Sequence, residues 1–436
     1  MPAFTGRPIV LRTPPKKSSS NSDARTTRPV HSASIMLLLS FITAALTYSI
    51  RFGYGVISPK MRESLLLTDT QLGLIFGSYF IGYTLFSPVV GYLTDRFGGR
   101  RVISIFSIFT GLGSLIAGIS SHWWISALAF GLAGLGSAAG WTGVVALVSN
   151  WFRGEKKGPA LGVLMLATII GLGVLGITMP LLLQVASWRF AWQTLGLLTI
   201  ITAGLDIMLL RDRPPTAPSN TGHGSEHAGS QFHCTRPKMV FTLPFWLIGV
   251  SYLFMAFGTY VPLTFIVRYF YGELAMNYAS ASALASVFAF SGVFGSLILP
   301  FLSNRLGRKK SLVMYNAAMG VCMLMLALFA RVFVISVLSS AAAGFLYGGI
   351  VPAYAGLASD YFSIELAGTA LGSWTIYYGV GGILSPIVSG IIKDTTNSFV
   401  GAFVLAAIVC WLAALMARLA APPHGTFYGT EPAVHF

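Results

Sequence analysis

The sequence predicts an all-α integral membrane protein of twelve transmembrane helices, grouped as two six-helix bundles. Three observations carry that prediction. Of 436 residues, 55% are apolar and only 9% charged, whereas ordinary soluble domains carry about 25% charged residues. Twelve apolar segments reach the length of about 20 residues that a helix needs to cross the hydrocarbon core. Finally, the stretch Gly91-Tyr92-Leu93-Thr94-Asp95-Arg96-Phe97-Gly98-Gly99-Arg100-Arg101 returns 209 residues later as Pro300 to Lys310, and Trp151–Gly162 returns 210 residues on as Tyr361–Gly372. Two motifs at one spacing indicate a duplicated bundle.

The elements follow in order. A polar, basic N-terminal tail (1–34) holds no short apolar core with a cleavage site, so no removable signal peptide is expected and span 1 (35–57) serves as the insertion signal. Spans 2 (70–92), 3 (102–121), 4 (124–149), 5 (159–184) and 6 (191–210) complete a first bundle over 35–210. The linker, 211–242, carries Arg-Pro-Pro and Gly-His-Gly-Ser-Glu-His, a composition that cannot build a packed core. Spans 7 (243–268), 8 (279–302), 9 (312–330), 10 (333–358), 11 (368–391) and 12 (399–419) form the second bundle over 243–419, and 420–436 is a C-terminal tail.

Charge placement orients the spans. With the N-terminus cytoplasmic, that side holds 21 Lys and Arg against 5 on the other, namely Lys60, Arg62, Arg189, Arg331 and Lys393. The positive-inside rule then places both termini in the cytoplasm. His122-Trp123-Trp124 and Trp188–Trp192 fall at outer span boundaries, where amphipathic rings settle. The net charge of +15 lies in short clusters at span ends, without the continuous basic face that nucleic-acid binding needs. Cys234, Cys322 and Cys410 form no Cys-x-x-Cys pair, and the linker's His223, His227, His233 and Cys234 lack regular ligand spacing, so neither a disulfide framework nor a metal site is indicated. No cofactor is expected. Short loops without an Asn-x-Ser/Thr sequon suit an inner or plasma membrane. The expected partners are the lipid bilayer and a small solute, and the expected state is a monomer.

The loop between spans 2 and 3, with Gly91, Asp95, Arg96, Gly98, Arg100 and Arg101, resembles the signature of the major facilitator superfamily. Its copy between spans 8 and 9, with Asn304, Arg305 and Gly307, repeats it weakly. The resemblance covers about 35–419. It implies that family's fold and action: two six-helix bundles around a central cavity, each of inverted three-helix repeats, rocking to expose one site to either side of the membrane in turn. It also implies a transporter rather than an enzyme. Gly91 and Gly98 are expected at sharp turns, where a residue without a side chain costs least. Asp95 and Arg96 are expected to make charge-assisted contacts with neighbouring helix ends at the cytoplasmic closure, favouring the outward-open state. Arg100 and Arg101 are expected to anchor on anionic headgroups. In the second copy Pro300 replaces Gly91 and Asn304 replaces Asp95, so the halves are expected to gate unequally. The loop Trp151–Gly162 adds a narrower resemblance to monocarboxylate and oxalate/formate-type carriers.

A charge within a span costs about 2.5 to 3.5 kcal/mol on insertion scales, so each instance asks for a reason. Arg51 stands deep in span 1 with Tyr48, Gly55 and Ser58 on the same face. Its planar guanidinium suits bidentate recognition of a carboxylate; the competing reading is snorkelling to the outer headgroups. Tyr260 takes the place of Arg51 in the second half, whereas Arg268 maps onto Pro59, beyond span 1, and is expected to steer solute at the outer mouth. Trp141 and Tyr377 lie on spans that the resemblance places on the cavity; with Tyr48, Arg51 and Tyr260 they make up the expected substrate site. Asp206, about a turn from the end of span 6, is the one acid clearly within a span and the candidate proton site.

No histidine lies at membrane depth and no mid-cavity carboxylate appears, which disfavours a proton-driven exporter of cations. A small, monocarboxylate-like organic anion, moved by proton symport or anion exchange, is the expected cargo. Export of a hydrophobic or drug-like compound through an aromatic, Met-rich cavity is the alternative. An enzyme is disfavoured, because grouped Ser/His/Asp or metal-ligand sets are missing at that depth.

Overall fold

The computed structural model describes residues 28–152, 156–212, 242–362 and 364–421. Among them, twelve helices are long and apolar enough to span a membrane. They are α1 (Arg28–Leu65), α2 (Asp69–Phe97), α3 (Gly99–Ile119), α4 (Trp123–Trp151), α5 (Lys157–Val185), α6 (Trp188–Leu209), α7 (Leu243–Gly272), α8 (Tyr278–Leu306), α9 (Arg308–Leu328), α10 (Phe333–Tyr361), α11 (Ile364–Thr396) and α12 (Val400–Leu419). The expected all-α, twelve-span architecture is thus present. Helix α4 consists of two segments that meet in a turn at Ala138. Most of the expected tails and linker lies outside the described residues, as do the linker histidines, Cys234 and Arg153 to Glu155 of the Trp151 motif.

Helices are the expected solution here, since a bilayer offers no water to backbone groups and each must be satisfied within its own segment. Between helices the lipid tails are as apolar as Leu, so association rests on close packing, and small residues let backbones approach. The repeat shows in those contacts: Gly134 of α4 sits against the Tyr79 backbone of α2, and the equivalent Gly344 of α10 against the Phe288 backbone of α8. The halves meet in the same two-fold way, with α2 packed on α11 and α8 on α5, while α1 lies on α7.

Two turns explain part of the duplicated motif. Gly98 alone joins α2 to α3 at φ +86°, and Gly307 alone joins α8 to α9 at φ +89°. A side chain in that backbone region is strained, which accounts for glycine in both copies. Gly91 departs from the expectation. It lies within α2, a turn and a half before Phe97, with open space where a Cβ would stand, and makes no turn.

The two ends of the bundle differ. At the end carrying Gly98, Gly307 and the basic clusters, here the basic end, the halves part around a cavity. At the far end they are clasped together.

Candidate functional site

The site is built around Arg51, midway along α1. Its guanidinium is buried and donates to the Tyr260 hydroxyl of α7, so the side chains at the two repeat-equivalent positions touch across the interface of the halves. The Tyr260 and Tyr378 hydroxyls lie 2.7 Å apart; whichever donates, one phenol O–H of the pair is left over. Six rings surround the charge, with Phe80 at 4.6 Å and Tyr83 at 5.0 Å from the guanidinium carbon, then Phe52, Tyr260, Tyr48 and Tyr79 within 5.9 Å. Ring faces stabilise a cation through their quadrupoles without neutralising it. Among the described residues no carboxylate pairs with Arg51, and its Nε, also buried, finds no partner. A guanidinium cannot shed its proton at this depth, so the site carries a standing positive charge.

Arg51 lines a cavity of about 350 Å³ whose walls come from both halves, including Tyr48, Tyr83 and Trp141 on one side and Tyr252, Phe288 and Tyr378 on the other. Trp141 meets Tyr48 edge to face, with centroids 6.5 Å apart. The lining runs from mid-membrane toward the basic end, through Ser87 of α2, Met165 of α5, Ala355 of α10 and Leu371 of α11. Tyr377 is a correction to the expected set. It stands off the cavity, edge to face with Trp246 at 6.0 Å, because one residue along a helix rotates a side chain by about 100°. The stripe Leu371, Thr375, Tyr378 is the cavity face of α11, and its i, i+4, i+7 spacing is the signal that identifies Tyr378. Phe80, Tyr79 and Tyr83 of α2 are further members that sequence reasoning passed over. No charge marks them, and aromatic residues within spans usually serve packing.

The far-end clasp centres on the first turn of α2. Thr68 caps that helix through the Gln71 amide, and Gln71 returns a bond to the Thr68 amide. The remaining free amides, those of Asp69 and Thr70, donate to the two carboxylate oxygens of Asp394 at 3.0 and 2.7 Å. Asp394 comes from the end of α11, in the other half, so its charge stabilises a helix N-terminus across the interface. The carboxylate of Asp69 in turn accepts from Arg268 of α7 at 3.0 and 3.3 Å, with Arg62 of α1 at 3.4 Å. Arg268, expected to steer solute at the outer mouth, is instead buried in an ion pair. Lys60 of α1 donates to Tyr271 of α7 at 2.7 Å, and Tyr278 of α8 to the Val56 carbonyl at 2.8 Å, adding two more ties between the halves.

At the basic end the signature residues bond within their own half. Arg96 donates to Tyr92 on the same helix. Arg100, expected among lipid headgroups, instead donates to the Ile207 carbonyl at the end of α6, while its amide donates to Asp212 at 2.8 Å. Asp95 is exposed and makes no hydrogen bond or ion pair among the described residues. In the second copy, Arg305 lies over the Phe301 ring at 4.6 Å and Arg308 pairs with Asp360 at 2.7 Å. Asp206 lies off the cavity, between α6 and α1. Thr43 donates to its Oδ2 at 2.7 Å, while Oδ1 is buried without a partner.

A cavity at mid-membrane between two repeat-related bundles, closed at one end and lined from the middle to the other, is the architecture of a carrier that moves solute by exposing one site to each side in turn. The chain matches the Major Facilitator Superfamily over residues 38–272 and 248–432 and belongs to that family; it is a secondary transporter working by alternating access. Among its relatives, the hexuronate transporter of Bacillus subtilis is 25% identical over 432 residues, covering 91% of this chain and 96% of that one. The probable sulfoacetate transporter of Cupriavidus necator is 20% identical, covering 87% and 91%. In fold, the chain resembles a bacterial homologue of the human lysosomal transporter Spinster, solved in an inward-facing conformation, with a TM-score of 0.71 and 16% identity over 89% of this chain and 97% of that one.

Proposed function

We propose that the cargo is a small organic anion and that Arg51 is its counter-ion. The observation that carries this reading is the standing charge of Arg51, which lines the cavity with aromatic faces around it and no protein carboxylate to neutralise it. An incoming carboxylate supplies the missing negative charge through charge-assisted hydrogen bonds. Hexuronate and sulfoacetate, the solutes in the names of the two relatives, are both anions of this kind. Tyr48, Tyr378 and Trp141 complete the binding surface, and Tyr260, buried behind the lining, holds Arg51 and Tyr378 in place. Coupling follows either proton symport, with Asp206 as the proton site, or exchange of one anion for another. The basic end faces the cytoplasm by its Lys and Arg excess, so the cavity opens inward here. Asp95 and Arg96, free of contacts between the halves in this state, close that end when the far-end clasp opens.

Uptake of a labelled anion panel into vesicles, with Arg51→Ala and Arg51→Lys, tests the assignment. Both substitutions are expected to reduce anion uptake by about tenfold or more, Lys because it lacks the planar fork. Wild-type uptake that survives in Arg51→Ala removes the counter-ion role. Export of a hydrophobic compound remains the second reading because most of the cavity wall is apolar. It predicts neutral cargo whose transport is indifferent to Arg51→Ala.

A further inference from the structure

Among the described residues that line the cavity, Arg51 is the one charged side chain, and none is Asp, Glu, Asn, Gln, Lys or His. Neutral hydrogen-bonding groups are plentiful. The phenols of Tyr48, Tyr83, Tyr252 and Tyr347, the Trp141 indole N–H and the Thr142 hydroxyl all belong to the lining. Phenols and hydroxyls both donate and accept, so they match hydroxyl and carbonyl groups on a solute. They do not cancel a charge. The wall therefore offers a single positive charge and no negative one, among neutral donors drawn from both halves.

We propose that the carrier selects by charge count: it moves organic acids bearing a single negative charge, with hydroxyl or oxo groups accepted, and refuses dicarboxylates and zwitterionic amino acids of the same skeleton. The inference rests on the anion reading above and narrows it. One carboxylate at Arg51 leaves the filled cavity neutral. A second carboxylate finds phenols that donate to it but no cation, and once the bundles close around the solute its surplus charge is held away from water at membrane depth. While the cavity is open to the basic end, water still reaches that charge, so the penalty falls on passage more than on entry. An α-ammonium group fails for the opposite reason. It sits beside its own carboxylate, hence beside Arg51, and the wall has no carboxylate or side-chain amide to receive it. The rings at that place, those of Tyr48, Phe52, Phe80 and Tyr83, already serve the guanidinium.

Uptake of labelled solutes into proteoliposomes holding the purified full-length carrier tests this with two matched series, a smaller one of lactate, malate, alanine and lactamide and a larger one of glucuronate, glucarate, glucosaminate and glucuronamide. In whichever series is moved at neutral pH, the monocarboxylate is expected to enter at least about tenfold faster than the dicarboxylate and the amino acid. As the pH falls and the dicarboxylate gains a proton to become a monoanion, its uptake relative to the monocarboxylate is expected to rise. A second cation on the wall of the other half, supplied by Ser296→Lys, is expected to raise the same ratio at neutral pH by about tenfold, a gain that a folding defect does not produce. Equal entry of the monocarboxylate and its dicarboxylate or amino-acid partner overturns this proposal and leaves the anion reading standing. Equal entry of the acid and its neutral amide, or entry of no acid in either series, overturns the anion reading itself.

Discussion

Arg268 of α7 and Asp69 of α2, 199 residues apart, form a buried ion pair in which Nε donates at 3.0 Å to Oδ1 and the neighbouring nitrogen at 3.3 Å to Oδ2. The pair joins the two halves at the far end, so it has to break whenever the cavity opens there. Its neighbour Asp394 caps the same helix from the other half through two amides. The clasp is one-sided: by the repeat offset Arg268 corresponds to Pro59 and Asp394 to Gln184 or Val185, which cannot mirror it.

Removing one partner of a buried pair leaves the other charge uncompensated, at a cost of about 3 to 5 kcal/mol. In Asp69→Asn or Arg268→Gln that cost falls on the far-end-closed form, so the population shifts toward opening at that end. A cysteine placed at Ser58 on α1 is expected to react faster with an impermeant maleimide added from the far side. The charge-exchanged double variant, Asp69→Arg with Arg268→Asp, is expected to recover part of the protection. Labelling unchanged by either single substitution removes the pair from the gate.

Tyr260→Phe takes the acceptor from the Arg51 guanidinium while leaving the ring. The substrate-free protein is expected to lose about 1 to 3 kcal/mol, seen as a lower melting temperature. A transported anion then satisfies the freed donor, so ligand-induced stabilisation becomes larger than in the parent chain. Tyr377→Phe, off the cavity, is expected to change neither quantity. Equal melting temperatures for the parent and Tyr260→Phe argue against the contact.

The three signature glycines separate by geometry. Alanine at Gly98 or Gly307 meets the backbone strain of a positive φ, about 1 to 2 kcal/mol. At Gly98 its Cβ also runs into the Asp212 carboxylate, whereas at Gly307 it meets open space. The expected order of thermal destabilisation is Gly98→Ala, then Gly307→Ala, then Gly91→Ala with almost none. A large loss at Gly91 contradicts the placement of that residue inside α2.

Asp206 offers a separate test of coupling. No basic side chain pairs with it among the described residues. Asp206→Asn keeps the shape and the Thr43 contact but cannot carry a proton. Under proton symport through this site, accumulation driven by a pH gradient is expected to fall to the equilibrium level while exchange at equal pH persists. Accumulation at the parent rate places the coupling elsewhere.

Length and hydropathy are local properties, and they made the spans, the duplication and the depth of each charge legible in the sequence. A helix must satisfy its own backbone in lipid, so twelve apolar stretches of sufficient length have one structural outcome. The repeat offset set Arg51 level with Tyr260. Contact between them, however, depends on how the two halves lean together, which no single segment records. The same holds for Tyr378 over Tyr377, whose side chains point about 100° apart on one helix; only the packing of α11 against α2 and α7 selects between them. Asp69, Arg268 and Asp394 read in sequence as scattered charges near span ends. Their union, and with it the choice of which end is shut, comes from the tertiary arrangement, because a buried charge is tolerated only where a distant segment brings its partner.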